Sequence, residues 1–178
     1  MTEERTGEAF EQQERLTVIG SKLQPGEPAP AFVLDRLDAA TGMMEHEQLR
    51  DSAGQVRLLN IINSVDTSVC HVQTRRWEDL QASLPGRVRL YTISMDLPFA
   101  QSRWQAAERV GHVLLSAHRS EQFGQDYGVL LKEWRLLQRA VLVIDRTDQV
   151  VYAEYVADQM DEPDYESAVA AAHQAAEN

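Results

Sequence analysis

The sequence predicts an α/β fold, and three observations carry that prediction. Residues 56–62 form a mostly apolar run of strand length, followed by a polar turn and a segment of helical periodicity. Residues 88–94 and 99–110 repeat the strand–helix order. Residues 140–145 and 150–156 then flank the turn-like Asp145-Arg146-Thr147-Asp148 and read as an antiparallel hairpin, ahead of an alanine-rich last helix.

The elements follow in order. Residues 1–15 are polar and charge-rich, without sustained apolar periodicity, and read as a mobile tail or frayed helix ahead of a single domain over residues 16–178. Residues 16–19 are a short strand, paired in an N-terminal hairpin. Gln24-Pro25-Gly26-Glu27-Pro28-Ala29-Pro30 is a connector, since each proline fixes φ and removes a backbone donor. Residues 32–34 open the next strand. The helix over residues 67–84 places Val69, Val72, Trp77 and Leu80 near helical spacing and stops at Pro85-Gly86. The helix over 99–110 offers Phe99, Trp104, Ala107 and Val110 as inner positions and ends at Gly111. A strand over 113–116, a short helix over 121–127 and a terminal helix over 163–176, with proline near its first position, complete the pattern.

The chain has 178 residues, long enough to bury a substantial core in one domain. Its 17 basic and 28 acidic residues give a net charge of −11, which argues against nucleic acid or an anionic membrane as a partner. The first residues lack the apolar stretch of a signal peptide, and no apolar run approaches membrane-spanning length. One cysteine cannot form an internal disulfide, so a reduced cytoplasmic setting is the simplest expectation.

That cysteine, Cys70, carries the chemistry. Asp66 or Thr67 is a natural N-cap for the helix after the first buried strand, which places Cys70 in its first turn. Unpaired backbone N–H groups there carry partial positive charge and favour thiolate, the reactive form. A lone cysteine is more often a small buried hydrophobe; its placement in a strand–turn–helix is what singles this one out.

A resemblance gives the placement its meaning. Ser64-Val65-Asp66-Thr67-Ser68-Val69-Cys70 resembles the peroxidatic loop of peroxiredoxins, with threonine three residues before the cysteine. Met95-Asp96-Leu97-Pro98-Phe99-Ala100-Gln101-Ser102-Arg103-Trp104 is similar to the thiol peroxidase branch, as are Arg139-Ala140-Val141-Leu142-Val143-Ile144-Asp145 and Glu162-Pro163-Asp164-Tyr165-Glu166-Ser167-Ala168. The similarity runs in order from about residue 16 to 172. It implies a thioredoxin-like α/β fold with an N-terminal β-hairpin extension, and a homodimer whose interface lies close to the peroxidatic loop.

The resemblance also implies the site. Cys70 is the nucleophile, Thr67 hydrogen-bonds the sulfur or the peroxide, and Arg139 stabilises the thiolate and the leaving oxygen. From the residues alone, Thr67 is equally a plain N-cap and Arg139 a solvated surface residue. Arg119 lies in a further family-like segment, residues 115–119. Two departures stand out. Asn63 occupies the position of the family's proline, which predicts a wetter, more flexible pocket and slower turnover. Gln105 occupies the position of the branch's resolving cysteine, which removes the intramolecular disulfide.

Other chemistry finds little support. Adjacent Cys70 and His71 do not face each other on a helix, and no triad pattern accompanies them. The five histidines lack metal-ligand spacing, no phosphate-cradling glycine loop is present, and Trp77, Trp104 and Trp134 read as core or interface aromatics. The sequence thus predicts a one-cysteine thiol peroxidase acting on hydrogen peroxide or an organic hydroperoxide, with no metal or other cofactor. A thioredoxin-like protein or a low-molecular-weight thiol would return the Cys70 sulfenic acid to the thiol. The alternatives are a peroxide sensor and a catalytically weak interaction protein that keeps only the fold.

Overall fold

The apolar run at residues 56–61 is buried on both faces, and the fold is arranged around it. A computed structural model describes residues 2–178. The elements are β1 (Glu4–Glu11), β2 (Glu14–Ile19), β3 (Val33–Leu37), β4 (Met44–Gln48), a 3-10 turn (Leu49–Ser52), β5 (Val56–Ile61), α1 (Ser68–Gln81), β6 (Val88–Ser94) and α2 (Pro98–Glu108). They continue with β7 (Val113–Ser116), α3 (Gln122–Asp126), β8 (Leu130–Leu131), β9 (Leu136–Leu137), β10 (Ala140–Ile144), β11 (Val150–Tyr155) and α4 (Tyr165–Glu177).

The main sheet has the order β11-β10-β5-β6-β7-β3-β4. β5, β6 and β7 are parallel, as strand–helix–strand connections require, and β10 closes antiparallel onto β5. The alternation of side chains sorts the sheet into two faces. Leu59, Ile61, Tyr91, Ile93, Leu142 and Ile144 face a core that contains Phe32, Phe123 and Tyr127. Val56, Leu58, Leu90, Val141 and Val143 face Trp77 of α1 and Ala168, Ala172 and Ala175 of α4. Towards the C-terminal ends of the parallel strands this second face turns polar, with Asn60 and Thr92 paired in register and joined by a 2.9 Å hydrogen bond.

The expectation of a polar tail over residues 1–15 is corrected. Residue 1 lies outside the described residues, but residues 4–11 form β1, which pairs antiparallel with β2 in a small second sheet, β1-β2-β8-β9. β1 holds because its few inward groups find specific partners. Ala9 packs with Leu16, Val18 and Leu131, and the Arg5 guanidinium donates to the carbonyls of Gly20 and Gly128. Those glycines permit the approach: a Cβ on Gly20 would lie 2.0 Å from the Gln125 carbonyl oxygen, and one on Gly128 would lie 2.2 Å from that of Ser21. β4, β8 and β9 also escape sequence reading, since each is short and lacks a sustained apolar period.

The inner faces of two helices differ from expectation. Trp77 is buried on α1, but Val72 is 52 % exposed; Cys70, Gln73 and Thr74 take the inner positions. On α2, Trp104 faces inward while Phe99 is 59 % exposed and Ala107 is also exposed.

α1 is tied to the turn between α2 and β7 by Glu78 and His112. The Glu78 carboxylate accepts from the backbone N–H of Gly111 (2.9 Å) and from the His112 ring (2.6 Å), whose other nitrogen meets the Thr92 hydroxyl at 2.8 Å. Burial pushes the Glu78 carboxyl up, but the bonds from Gly111 and His112 outweigh it and hold the group below its usual range. Burial holds the His112 ring below its usual range, against the pull of Glu78. The signs agree. As pH falls below the ordinary histidine value, the unfolded chain takes up a proton that folded His112 refuses. At lower pH, the stability contributed by ionised Glu78 is lost as pH falls through its folded value. The urea midpoint should therefore fall between about pH 7 and pH 4, and Glu78→Gln should flatten the lower part of that fall. A midpoint that rises on acidification would contradict the assignment.

Candidate active site

The site lies where β5 ends and α1 begins, at the C-terminal edge of the parallel strands. The loop between them is fixed by Asp96, which follows β6. Its carboxylate accepts from the Ser64 hydroxyl (2.7 Å), the Val65 backbone N–H (2.9 Å) and the Ser94 hydroxyl (2.7 Å).

Cys70 sits in the first turn of α1, as the sequence predicts, but it is 0 % exposed. It packs with Ile62, Val65, Trp104, Val110 and Leu114. Among the described residues, the one hydrogen-bond partner of its sulfur is the side-chain oxygen of Asn63, at 3.7 Å. His71 turns away from the sulfur and accepts from the Trp104 indole N–H at 3.2 Å.

Thr67 is the N-cap residue by backbone conformation, with φ −87° and ψ 145°. Its exposed hydroxyl caps no helix N–H; it donates to the Ser64 carbonyl at 3.1 Å and is not bonded to the sulfur.

Arg139 precedes β10 and is 1 % exposed, so the surface reading is overturned. Its Nη1 donates to Gln73 Oε1 and its Nη2 to the Gln159 carbonyl (2.7 Å), while its Nε is buried without a partner. It forms no ion pair among the described residues. Gln73 lies one turn after Cys70 on the same face of α1 and donates in turn to Asn60. Arg139 is thus tied to the Cys70 helix through Gln73 and to Asn63 through Gln159.

Asn63 corrects the expectation of a wet, flexible pocket. It is 3 % exposed, and its amide nitrogen donates to the Leu137 carbonyl (2.7 Å) and to Gln159 Oε1 (3.0 Å). Gln73 could have been noticed as a polar residue one turn after Cys70. Gln159 lies in a loop, and no local pattern marks it.

Arg119 belongs elsewhere. Its side chain is largely exposed and pairs with the buried carboxylate of Asp35, in a cleft of about 420 Å³ also lined by Phe32, Leu49 and Phe123. Gln105, at the resolving position, donates to the His112 carbonyl at 2.8 Å. No cluster of metal-ligating side chains occurs among the described residues.

A helix that begins on a buried thiol, at the C-terminal edge of a mixed sheet, defines a class of thiol redox proteins. The profile described as Redoxin matches residues 24–169, and the chain belongs to that family. Within it the chain falls among the thiol peroxidases of the peroxiredoxin group. It is 44 % identical over 158 residues to the thiol peroxidase of Bacillus subtilis, across 88 % of this chain and 91 % of that protein. It is 45 % identical over 157 residues to the thiol peroxidase of Streptococcus sanguinis, across 88 % and 93 %. The fold is similar to that of a peroxiredoxin-like protein from Aquifex aeolicus, with a TM-score of 0.84, 28 % identity and 96 % of each chain covered. The architecture is therefore thioredoxin-like, with the β1–β2 hairpin as its extension.

If Asp96 holds the loop closed over Cys70, Asp96→Ala should expose the sulfur. Alkylation of Cys70 by iodoacetamide, read by intact mass, should then be faster than in the wild type. An unchanged rate in a folded variant would mean that access is controlled elsewhere.

Proposed function

We propose that Cys70 is the peroxidatic nucleophile of a thiol-dependent peroxidase that completes its cycle with one cysteine. The observation that carries this reading is the buried guanidinium of Arg139. A buried charge is costly unless an opposite charge compensates it. Among the described residues no carboxylate pairs with Arg139, and its neighbours lead to the only thiol in the chain, through Gln73 on the Cys70 helix and through Gln159 and Asn63. A thiolate at Cys70 supplies the missing negative charge.

The chemistry follows. The thiolate attacks the distal oxygen of a hydroperoxide. The O–O bond breaks, and an alkoxide or hydroxide departs and takes up a proton. Cys70 is left as a sulfenic acid. Arg139 offers planar N–H donors to the thiolate and to the leaving oxygen. The resemblance to thiol peroxidases supports a hydrogen bond from the Thr67 hydroxyl to the sulfur or the peroxide in the reacting complex. With Gln105 in place of a cysteine, an external thiol condenses with the sulfenic acid and releases water. A second thiol then frees Cys70 and leaves as a disulfide. A low-molecular-weight thiol or a thioredoxin-like protein serves as that reductant.

Two further readings belong here. The resemblance to thiol peroxidases supports a homodimer. So do the exposed apolar side chains of Leu97 and Phe99 beside the Asp96 anchor of the loop. A cytoplasmic setting fits a single free thiol; no helix of the described residues is long and apolar enough to cross a membrane. The β1–β2 hairpin is read as part of the same domain, since Arg5 ties it to the body.

Cys70→Ser should remain folded and lose peroxide consumption. Wild-type protein under excess peroxide should gain the mass of sulfinic and then sulfonic acid on Cys70. Peroxide consumption by Cys70→Ser at the wild-type rate would rule out the mechanism.

Arg139→Ala should slow the peroxide step by roughly two to three powers of ten, as removal of a donor to a developing oxyanion does elsewhere. Arg139→Lys should restore only part, because a point charge cannot reproduce the two-pronged donor. Stopped-flow fluorescence of Trp104, which packs against Cys70, reads the step. An unchanged rate in Arg139→Ala would place the guanidinium outside the chemistry.

A further inference from the structure

A buried row of hydrogen bonds runs from Arg139 to the turn between α2 and β7. Arg139 Nη1 donates to Gln73 Oε1, Gln73 Nε2 donates to Asn60 Oδ1, and Asn60 Nδ2 donates to Thr92 Oγ1 at 2.9 Å. Thr92 Oγ1 lies 2.8 Å from His112 Nε2, and His112 Nδ1 lies 2.6 Å from Glu78 Oε2. Gln73, Asn60, Thr92 and His112 are all buried, so bulk water is not at hand to complete a bond that the row leaves unmade.

The two ends of the row demand the same direction of donation. A guanidinium can only donate, so Gln73 must turn its oxygen to it, and the nitrogens of Gln73 and then Asn60 must donate onward. At the far end an ionised carboxylate can only accept. Glu78 also accepts from the Gly111 backbone N–H, and its carboxyl is held below the usual range. It therefore takes the proton on His112 Nδ1. Burial favours the neutral ring, so Nε2 is bare and accepts the Thr92 hydroxyl proton. With that proton given to His112, Thr92 offers Asn60 only lone pairs, which holds the Asn60 nitrogen towards it. A proton on Nε2 instead would free Thr92 to donate to Asn60. The reversed row would then set the Gln73 nitrogen against the guanidinium.

We propose that Thr92, anchored by His112, is a positioning residue for Arg139: it fixes the direction of the row and so holds the Gln73 oxygen on the guanidinium. The proposal rests on the reading of Arg139 as a donor in the peroxide step and adds what keeps that donor in place. Arg139 Nε has no partner, so two bonds set the plane of the guanidinium: Nη1 to Gln73 and Nη2 to the Gln159 carbonyl. The second is to the backbone; the first is only as firm as the row behind it. Among the described residues, neither Asn60, Thr92 nor His112 is bonded to the Cys70 sulfur, whose partner is Asn63. Their influence on the reaction passes through Gln73 and Arg139.

The tautomer of His112 tests the anchor in the wild-type protein. At about pH 7, nitrogen NMR should show the ring proton on Nδ1 and a bare Nε2. A proton on Nε2 overturns the proposal without any variant and without peroxide. Thr92→Val keeps the side-chain shape and removes the hydroxyl. It should slow the reaction of Cys70 with hydrogen peroxide roughly 3- to 30-fold, the range of coupling within one hydrogen-bond network. Thr92→Ser keeps the hydroxyl and should restore most of the rate. In an Arg139→Ala background, Thr92→Val should add less than about 2-fold, because the group it positions is gone. A purely structural role would slow both backgrounds alike. A folded Thr92→Val protein with an unchanged rate overturns the proposal, and so does one slowed equally with and without Arg139. Wild-type protein that consumes no peroxide would refute the peroxidase reading itself, and the tautomer measurement separates the two failures.

Discussion

Burial of the Arg139 guanidinium is the constraint from which the rest of the site follows. A cation placed in a protein interior must be solvated by something, and here only neutral dipoles do it. Gln73 turns its oxygen towards the guanidinium, which leaves its nitrogen for Asn60; Asn60 in turn donates to Thr92, and Thr92 meets His112. Each orientation is forced by the one before it, because a guanidinium can only donate. The polar stripe across the ends of β5 and β6 is thus the solvation shell of one charge. That shell leaves the Nε of Arg139 without a partner.

This arrangement keeps the surroundings of the sulfur dry. Apolar side chains around Cys70 exclude water, and the Asp96 anchor keeps the loop over the sulfur. The low-dielectric surroundings that make an unpaired charge costly also strengthen its attraction to a thiolate. A one-cysteine cycle gains from such closure, because a sulfenic acid with no internal thiol is exposed to further oxidation.

The N-terminal hairpin takes part in this order. The Phe10 carbonyl accepts from the Gln159 backbone N–H at 2.8 Å, and the Phe10 N–H donates to the Ala157 carbonyl at 2.9 Å. β1 therefore fixes the loop from which Gln159 reaches both Arg139 and Asn63. A segment distant in sequence from every site residue helps set the orientation of the amide at Cys70.

The sequence by itself determined the alternation of strands and helices and the position of Cys70 in the first turn of α1. Those are local matters: an apolar run of strand length, a turn, and a change of period can be read without knowledge of neighbours. Residues 88–94 and 113–116 became strands with the bounds their patterns imply. The resemblance added the family and pointed to Arg139. Only the tertiary structure decided what Arg139 and Asn63 touch. Burial of a charge, the inward turn of Gln73 and Thr74 in place of Val72, and the orientation of an amide depend on groups far apart in the chain. β1 was hidden for the same reason. Its apolar content is too small to declare a strand, and it becomes one through its pairing with β2 and the grip of Arg5 on Gly20 and Gly128.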